Sequence, residues 1–89
     1  MKKMLNKYEA LRNVIDYLKL DAENSRFFSM ELAGDVYELH VRGEWMKYDC
    51  FVDAFTGDVL GLDCEPFIDY EYYDGIACSE ILEGEQEAA

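Results

Sequence analysis

The residues of this sequence that could take part in chemistry are a single histidine, three cysteines and a dense run of acids. His40 lies on a predicted strand beside Glu38 and Arg42, and the sequence places no serine or cysteine as its nucleophile. The glycines between the strands occur singly, rather than in a phosphate-binding loop before a helix. We therefore interpret His40 as a surface strand residue, and we predict no catalytic residue and no cofactor.

An acidic run precedes Gly75 and has part of the composition of a calcium-binding loop. Its acids include Asp69, Glu71 and Asp74, but their order departs from the spacing of an EF-hand loop and the closing glutamate is missing. A run of this kind attracts divalent cations weakly without forming a specific site. We predict no metal ligand in this sequence.

The three cysteines, Cys50, Cys64 and Cys78, are spaced fourteen residues apart and contain no Cys-x-x-Cys pair. This spacing suits neither a disulfide framework nor a zinc site, so we interpret them as reduced, partly buried thiols. A Cys50–Cys64 disulfide is the alternative in an oxidising compartment. Polar residues interrupt the apolar stretch that a signal peptide needs, and the sequence has no apolar run of about 18 residues for a membrane helix. These features predict a cytoplasmic protein without membrane attachment.

Charge divides the sequence into two halves. Residues 1–48 contain all eight basic residues and eight acidic ones, so their formal charges cancel. Residues 49–89 contain the other twelve acids and no lysine or arginine, and they therefore hold the whole net charge of −12. This imbalance disfavours direct binding to nucleic acid and favours a partner protein with a basic surface.

The hydrophobic pattern predicts one helix followed by strands that are joined by hairpins. Apolar residues recur at spacings of three and four across residues 6–20, and Asn6 with Glu9 has the form of a capping box. Alternation of apolar and polar residues predicts the strands, at residues 26–32, 36–42, 45–55 and 58–62. Between the last two strands, Asp53 is expected to fold its carboxylate onto backbone N–H groups two residues on, and Gly57 to supply a positive φ.

The alternation also assigns side chains to the two faces of the sheet. On the first strand, Phe28, Met30 and Leu32 share one face. On the long third strand, alternate apolar residues point to the core, whereas Trp45 and Phe51 fall on the opposite, polar face. We predict an α+β fold: one N-terminal helix packed on a three- to four-stranded antiparallel sheet, with an acidic C-terminal arm. Within the C-terminal part, a short helix is predicted at residues 76–82 and a frayed tail at 83–89.

Residues 9–61 resemble a PepSY domain, a module found in the propeptides of thermolysin-like peptidases and in many bacterial proteins. The features that match are an Ala-Leu pair in the leading helix, the strand VYELHV and the segment YDCFVDAFTGDVL at residues 48–60. The resemblance implies a helix on an antiparallel sheet. It also implies a non-catalytic role in binding or inhibiting another protein, often a peptidase.

We divide the chain into a PepSY-like domain, residues 1–62, and an acidic aromatic arm with a short helix and tail, residues 63–89. The partner-binding residues predicted from both parts are Trp45, Phe51, Asp63, Glu65, Asp69, Tyr70, Glu71, Tyr72, Tyr73 and Asp74. Aromatic rings would supply contact area and carboxylates would steer a basic partner. The first alternative is an acidic mimic of nucleic acid, of the phage type that inhibits a nuclease or another nucleic-acid-binding protein. The second alternative is a homo-oligomer that assembles through an exposed strand edge.

Overall fold

The computed structural model describes residues 3–67 and 75–88. In chain order the elements are helix α1 (Lys7–Leu18), strands β1 (Arg26–Ala33), β2 (Val36–Arg42), β3 (Met46–Asp53), β4 (Val59–Pro66) and β5 (Ile76–Ala77), and helix α2 (Cys78–Ala88). The strands form one antiparallel sheet in the order β4-β3-β2-β1-β5. Both helices contribute to a core on one face of this sheet, so the predicted α+β fold is confirmed.

Helix α1 begins where the sequence has its capping box. Asn6 Oδ1 accepts a hydrogen bond from the Glu9 backbone N–H at 2.9 Å, and Glu9 Oε1 accepts one from the Asn6 backbone N–H at 3.1 Å. These two bonds satisfy N–H groups that the first helical turn leaves without partners. The helix ends at Leu18 and is capped by Lys19, whose backbone is left-handed with φ 56°. The inner surface of α1 is fully or almost fully buried at Ala10, Leu11, Val14 and Ile15.

The turn between β3 and β4 has the geometry that its sequence predicts. Asp53 Oδ1 accepts hydrogen bonds from the backbone N–H groups of Phe55 at 2.8 Å and Thr56 at 2.9 Å. Gly57 has φ 82°, in the region that residues with a Cβ rarely adopt. Asn13 of α1 donates a hydrogen bond from Nδ2 to the Gly57 carbonyl at 3.3 Å, which ties this turn to the helix.

Strand β1 departs from simple alternation because it contains a bulge. The register shifts between Phe27 and Ser29, which leaves Phe28 as an extra residue. Phe27 and Met30 consequently pack against the core. The prediction that Phe28 shares a face with Met30 and Leu32 is therefore wrong for Phe28, because one inserted residue reverses the alternation on one side of the bulge.

The C-terminal elements also differ from the prediction. Strand β4 continues to Pro66, four residues beyond its predicted end, so the sheet includes the first acids that were assigned to the arm. The predicted helix at residues 76–82 is wrong at its first two residues, which form β5 instead. Gly75, with φ 84°, precedes this strand and lies so close to the Phe27 carbonyl that a Cβ would clash there. The predicted tail is helical through residue 88, because α2 anchors its first turns on the core with Ile81 and Leu82.

Candidate protein-binding face

We call the sheet surface that lies opposite the two helices the open face. The register of β1 to β4 places on it, among others, eight partly or fully exposed side chains: Glu31, Glu38, His40, Lys47, Asp49, Phe51, Asp63 and Glu65. Leu39 and Cys50, which alternate with them on β2 and β3, are fully buried on the helix side. A strand period of two therefore separates one apolar face from one charged face.

The open face pairs like charges across neighbouring strands. Glu31 on β1 lies opposite Glu38 on β2, and Asp49 on β3 lies opposite Asp63 on β4. Like charges that are directly opposite on a sheet destabilise it, by up to about 1 kcal/mol for each pair. Five acids and one lysine are among these eight residues, so this part of the open face is negative, whereas two arginines of β1 and β2 lie toward one end of the same face.

His40 lies between these acids. Its Nδ1 is 2.6 Å from Asp49 Oδ1 and its Nε2 is 3.8 Å from Glu38 Oε1. The imidazole therefore links carboxylates of β2 and β3. His40 lies on a partly exposed strand surface, as predicted, and its two acidic neighbours fix the orientation of the ring.

A groove of about 470 Å³ crosses this part of the open face. Its side chains include Phe28 and Ser29 from β1, His40 from β2 and Lys47 from β3. Ser29 lies directly across from His40 in the register. Among the described contacts, however, no hydrogen bond joins the serine hydroxyl to the imidazole, which contacts the two acids instead. The groove thus offers an apolar ring, a cation and hydrogen-bonding groups to a ligand surface.

One end of the sheet is covered by Phe67, which directly follows β4. The Phe67 ring lies 5.1 Å from the guanidinium carbon of Arg42, a distance that allows a cation–π contact. The Arg42 side chain is almost fully buried and donates hydrogen bonds to the carbonyls of Gly43 at 2.7 Å and Asn24 at 3.4 Å. A buried arginine at this position was not predicted, since the sequence shows only a polar residue in an alternating strand.

The two aromatic residues predicted to share the open face lie in different places. Phe51 is on β3 within the open face, where its ring packs beside Gly61 of β4. Trp45 belongs to the turn that precedes β3, and six residues of extended chain place it about 20 Å from Phe51. Its side chain is 79% exposed and borders a separate groove near Leu20, at the end of α1. The prediction that Trp45 belongs to strand β3 is therefore wrong, because the strand begins one residue later.

The predicted acidic and aromatic arm is divided between the sheet and residues outside the described ranges. Asp63 and Glu65 are exposed residues of β4, and Glu65 lies 3.7 Å from Lys47 Nζ across the ladder. The remaining predicted site residues lie outside the described residues: Asp69, Tyr70, Glu71, Tyr72, Tyr73 and Asp74.

All three cysteines are free thiols. Cys50 and Cys78 are buried in the core, whereas Cys64 is exposed on β4. Burial, together with the smaller effect of the neighbouring Asp49 carboxylate, raises the pKa of Cys50 to about 12. Burial also raises the pKa of Cys78, although the neighbouring Ser25 hydroxyl and the positive charges of Arg42 and Arg26 oppose this effect. Of the three thiols, Cys64 is therefore the one that a reagent in solution can reach.

Within the described ranges, no group of three or more histidine, cysteine or acidic residues is arranged to hold a metal ion. Neither α1 nor α2, the helices of the described residues, is long and apolar enough to cross a membrane. Comparisons with protein-family models, curated proteins and solved structures find no match for this chain. The PepSY assignment thus stays a prediction from the residues at 9–61.

Proposed function

We propose that this chain is a non-enzymatic, PepSY-like module that binds or inhibits another protein through the open face of its sheet. The observation that carries the proposal is the difference between the two faces. Helices cover one face, whereas the other leaves Phe51 partly exposed among acids that repel one another. A partly exposed aromatic ring within a charged rim is a favourable anchor for a protein partner.

The charge of the open face supports a partner with a basic surface. Asp49 and Asp63 lie side by side, and Glu31 and Glu38 form a second pair nearby. Lysine and arginine side chains of a partner would relieve the repulsion within each pair and would speed association at low salt. The gain arises on binding, because in the free chain these acids repel one another.

Trp45 and the acidic residues beyond β4 extend the proposed site. The exposed indole of Trp45 borders a groove of about 340 Å³, separate from the open face. The predicted residues of the arm, from Asp69 to Asp74, add acids and tyrosines that would reach a large partner. We further propose a cytoplasmic location, since free thiols such as Cys64 persist in a reducing compartment.

The proposal is tested by affinity capture from a nuclease-treated cell lysate, with the tagged chain as bait. Phe51→Ala removes the aromatic ring of the open face, and Tyr17→Ala removes an exposed ring of α1 as the matched control. We expect a partner to be retained by the wild type and by Tyr17→Ala, and to be lost or strongly reduced with Phe51→Ala. Thermal melts of both variants establish that the bait is folded.

A captured partner that binds the Phe51→Ala variant as well as the wild type would contradict the proposal. Two further variants then locate the contact. Trp45→Ala tests the groove at the turn, and the triple change Tyr70→Ala, Tyr72→Ala and Tyr73→Ala tests the arm. Retention of full binding by the triple variant would remove the arm from the proposed site.

A second candidate function is supported by the adjacent carboxylates of Asp49 and Asp63. Rows of closely spaced negative charges imitate the phosphates on which nucleic-acid-binding proteins depend for affinity. The chain would then inhibit a nuclease or a related protein by occupying its basic groove. This function predicts that duplex DNA competes with the bait and that the partner elutes as salt rises. It also predicts that inhibition is lost when five acids become amides: Asp63, Glu65, Asp69, Glu71 and Asp74.

A further inference from the structure

Strand β4 is an edge of the sheet. It pairs with β3 on one side, and none of the strands in the described residues pairs with it on the other. It is eight residues long, whereas the opposite edge strand, β5, has two residues and runs directly into α2. An edge strand of this length presents a row of backbone groups to which another extended chain can bind.

Two hydrogen bonds determine which residues of β4 turn their backbone groups outward. The Gly43 N–H donates to the Met46 carbonyl at 2.8 Å, so the backbone N–H and C=O groups of the even-numbered residues of β3 point toward β2. The Asp53 N–H donates to the Asp58 carbonyl at 2.8 Å, so the backbone groups of the odd-numbered residues of β3 point toward β4. The backbones of Asp49 and Lys47 therefore form hydrogen bonds with their partners on β4. The residues between those partners point their N–H and carbonyl groups away from β3.

Those outward residues are Leu62 and Cys64. They lie between Asp63 and its odd-numbered neighbours, which exchange hydrogen bonds with β3. Pro66 is next in the same outward series, at a position where a missing N–H costs no bond within the sheet. Leu62 and Cys64 are both exposed, so their N–H and carbonyl groups are accessible to another chain.

The side chains of β4 determine which sequence the edge would accept. Asp63 and Glu65 lie on the open face, so residues beside them in an added strand would meet two carboxylates. Leu62 and Cys64 lie on the other face, so the alternate residues would meet an apolar side chain and a thiol. A second copy of this chain would bring its own Asp63 and Glu65 against the same acids, which disfavours a symmetric edge-to-edge dimer.

We propose that β4 binds an extended segment of the partner protein by strand addition, and that basic residues alternate with apolar residues in that segment. The proposal rests on the proposed protein-binding function and specifies how the partner attaches. Backbone hydrogen bonds to Leu62 and Cys64 supply affinity, and Asp63 and Glu65 select lysine or arginine.

Alkylation of Cys64 reports occupation of this edge. The probe is an eight-residue peptide of alternating lysine and valine, and the control is a peptide of the same length and charge in which two central valines are replaced by proline. At a concentration about ten times its Kd, the alternating peptide is expected to slow alkylation of Cys64 by iodoacetamide about tenfold. The proline peptide has the same charge but lacks N–H groups for the ladder, so it should slow the reaction little.

Equal protection by the two peptides would overturn the proposal, since charge alone would then explain the effect. Absence of protection by the alternating peptide at millimolar concentration would overturn it as well. A peptide of alternating glutamate and valine tests the charge selection and should not bind. Cys50 and Cys78 serve as internal references, because both are buried.

The captured partner separates failure of this proposal from failure of the proposed function. Leu62→Pro removes one outward N–H, and Leu62→Thr keeps that group as the matched control. Loss of the partner with Leu62→Pro alone supports strand addition. A partner that depends on Phe51 and is indifferent to Leu62→Pro overturns strand addition and leaves the open-face function standing. A concentration-dependent dimer that Leu62→Pro abolishes would instead identify a second copy as the occupant.

Discussion

The two faces of the sheet are built from the same strands but differ in burial and charge. On the helix side, Leu39 and Cys50 are opposite each other and fully buried. One residue further along, Glu38 and Phe51 are opposite each other on the open face and remain partly exposed. The covered face stabilises the fold through burial. The open face retains pairs of like-charged acids opposite each other, which do not favour the fold, and we therefore propose that this face carries the function.

The largest expected difference between the two sides concerns thiol chemistry. Burial raises the pKa of Cys50 from 9.0 to about 12, so at about pH 8 its thiolate is about a thousandfold scarcer than that of an ordinary cysteine. Cys64 is exposed at the sheet edge. We expect one thiol per folded chain to react rapidly with iodoacetamide and all three to react after unfolding. Mass spectrometry of the alkylated peptides would contradict this if Cys50 were modified as fast as Cys64.

Side-chain truncation provides the next test of the comparison. Leu39→Ala leaves a cavity in the core and is expected to lower the free energy of unfolding by about 2–5 kcal/mol. Phe51→Ala removes a larger side chain that is only partly buried, and we expect a loss of about 1 kcal/mol. Urea denaturation measures both values. A loss for Phe51→Ala as large as that for Leu39→Ala would show that the open face also supports the fold.

The turn after β3 connects the sheet to the covering helix, and a pair of glycines tests that connection. Gly34 and Gly57 both have positive φ, of 62° and 82°. A Cβ on Gly34 would meet nothing within 4 Å, whereas a Cβ on Gly57 would clash with the Asn13 amide. Gly34→Ala should therefore cost about 1–2 kcal/mol from backbone strain alone, and Gly57→Ala should cost more. Equal losses in thermal or urea unfolding would contradict the role of Asn13.

Much of the fold follows from local sequence signals. The capping box at Asn6, the Asp53 turn and strand β2 each depend on a few neighbouring residues, and the structure has them where the sequence predicts them, whereas β3 is shorter than predicted at both ends. The bulge at Phe28 and the strand β5 depend on pairing with distant strands, so no local pattern predicts them. Gly75 is consistent with β5, since glycine tolerates both a positive φ and a close backbone approach, but a single glycine does not predict a strand.

The candidate site was predicted less completely than the fold, for a related reason. Alternation correctly assigned Phe51 to the polar face. It also included Trp45 in β3, although Trp45 still belongs to the tight turn between β2 and β3. It also ended β4 at residue 62, because the acids that follow resemble a solvated segment. Pairing with β3 keeps Asp63 and Glu65 in the sheet despite their charge. Which carboxylates become neighbours depends on register, and register is a property of paired strands.

The smallest effect, and the most informative for the open face, is expected from neutralising one acid of a repelling pair. Asp63→Asn removes the charge opposite Asp49 and should stabilise the chain by a few tenths of a kcal/mol at low salt. Asp35→Asn changes the net charge equally at an exposed position in the turn between β1 and β2 and is the matched control. The gain should shrink at high salt, because screening already weakens the repulsion between exposed carboxylates.

Urea unfolding at low and high salt measures this gain, and the alternating lysine and valine peptide measures its consequence for binding. If Asp63→Asn stabilises the chain and weakens its binding of the peptide, the repulsion between Asp63 and Asp49 serves recognition and lowers stability. If it destabilises the chain, Asp63 contributes to the fold instead, and our assignment of this residue to binding alone is wrong. Because stability and binding then change in opposite directions, a general loss of structure would not explain the weaker binding.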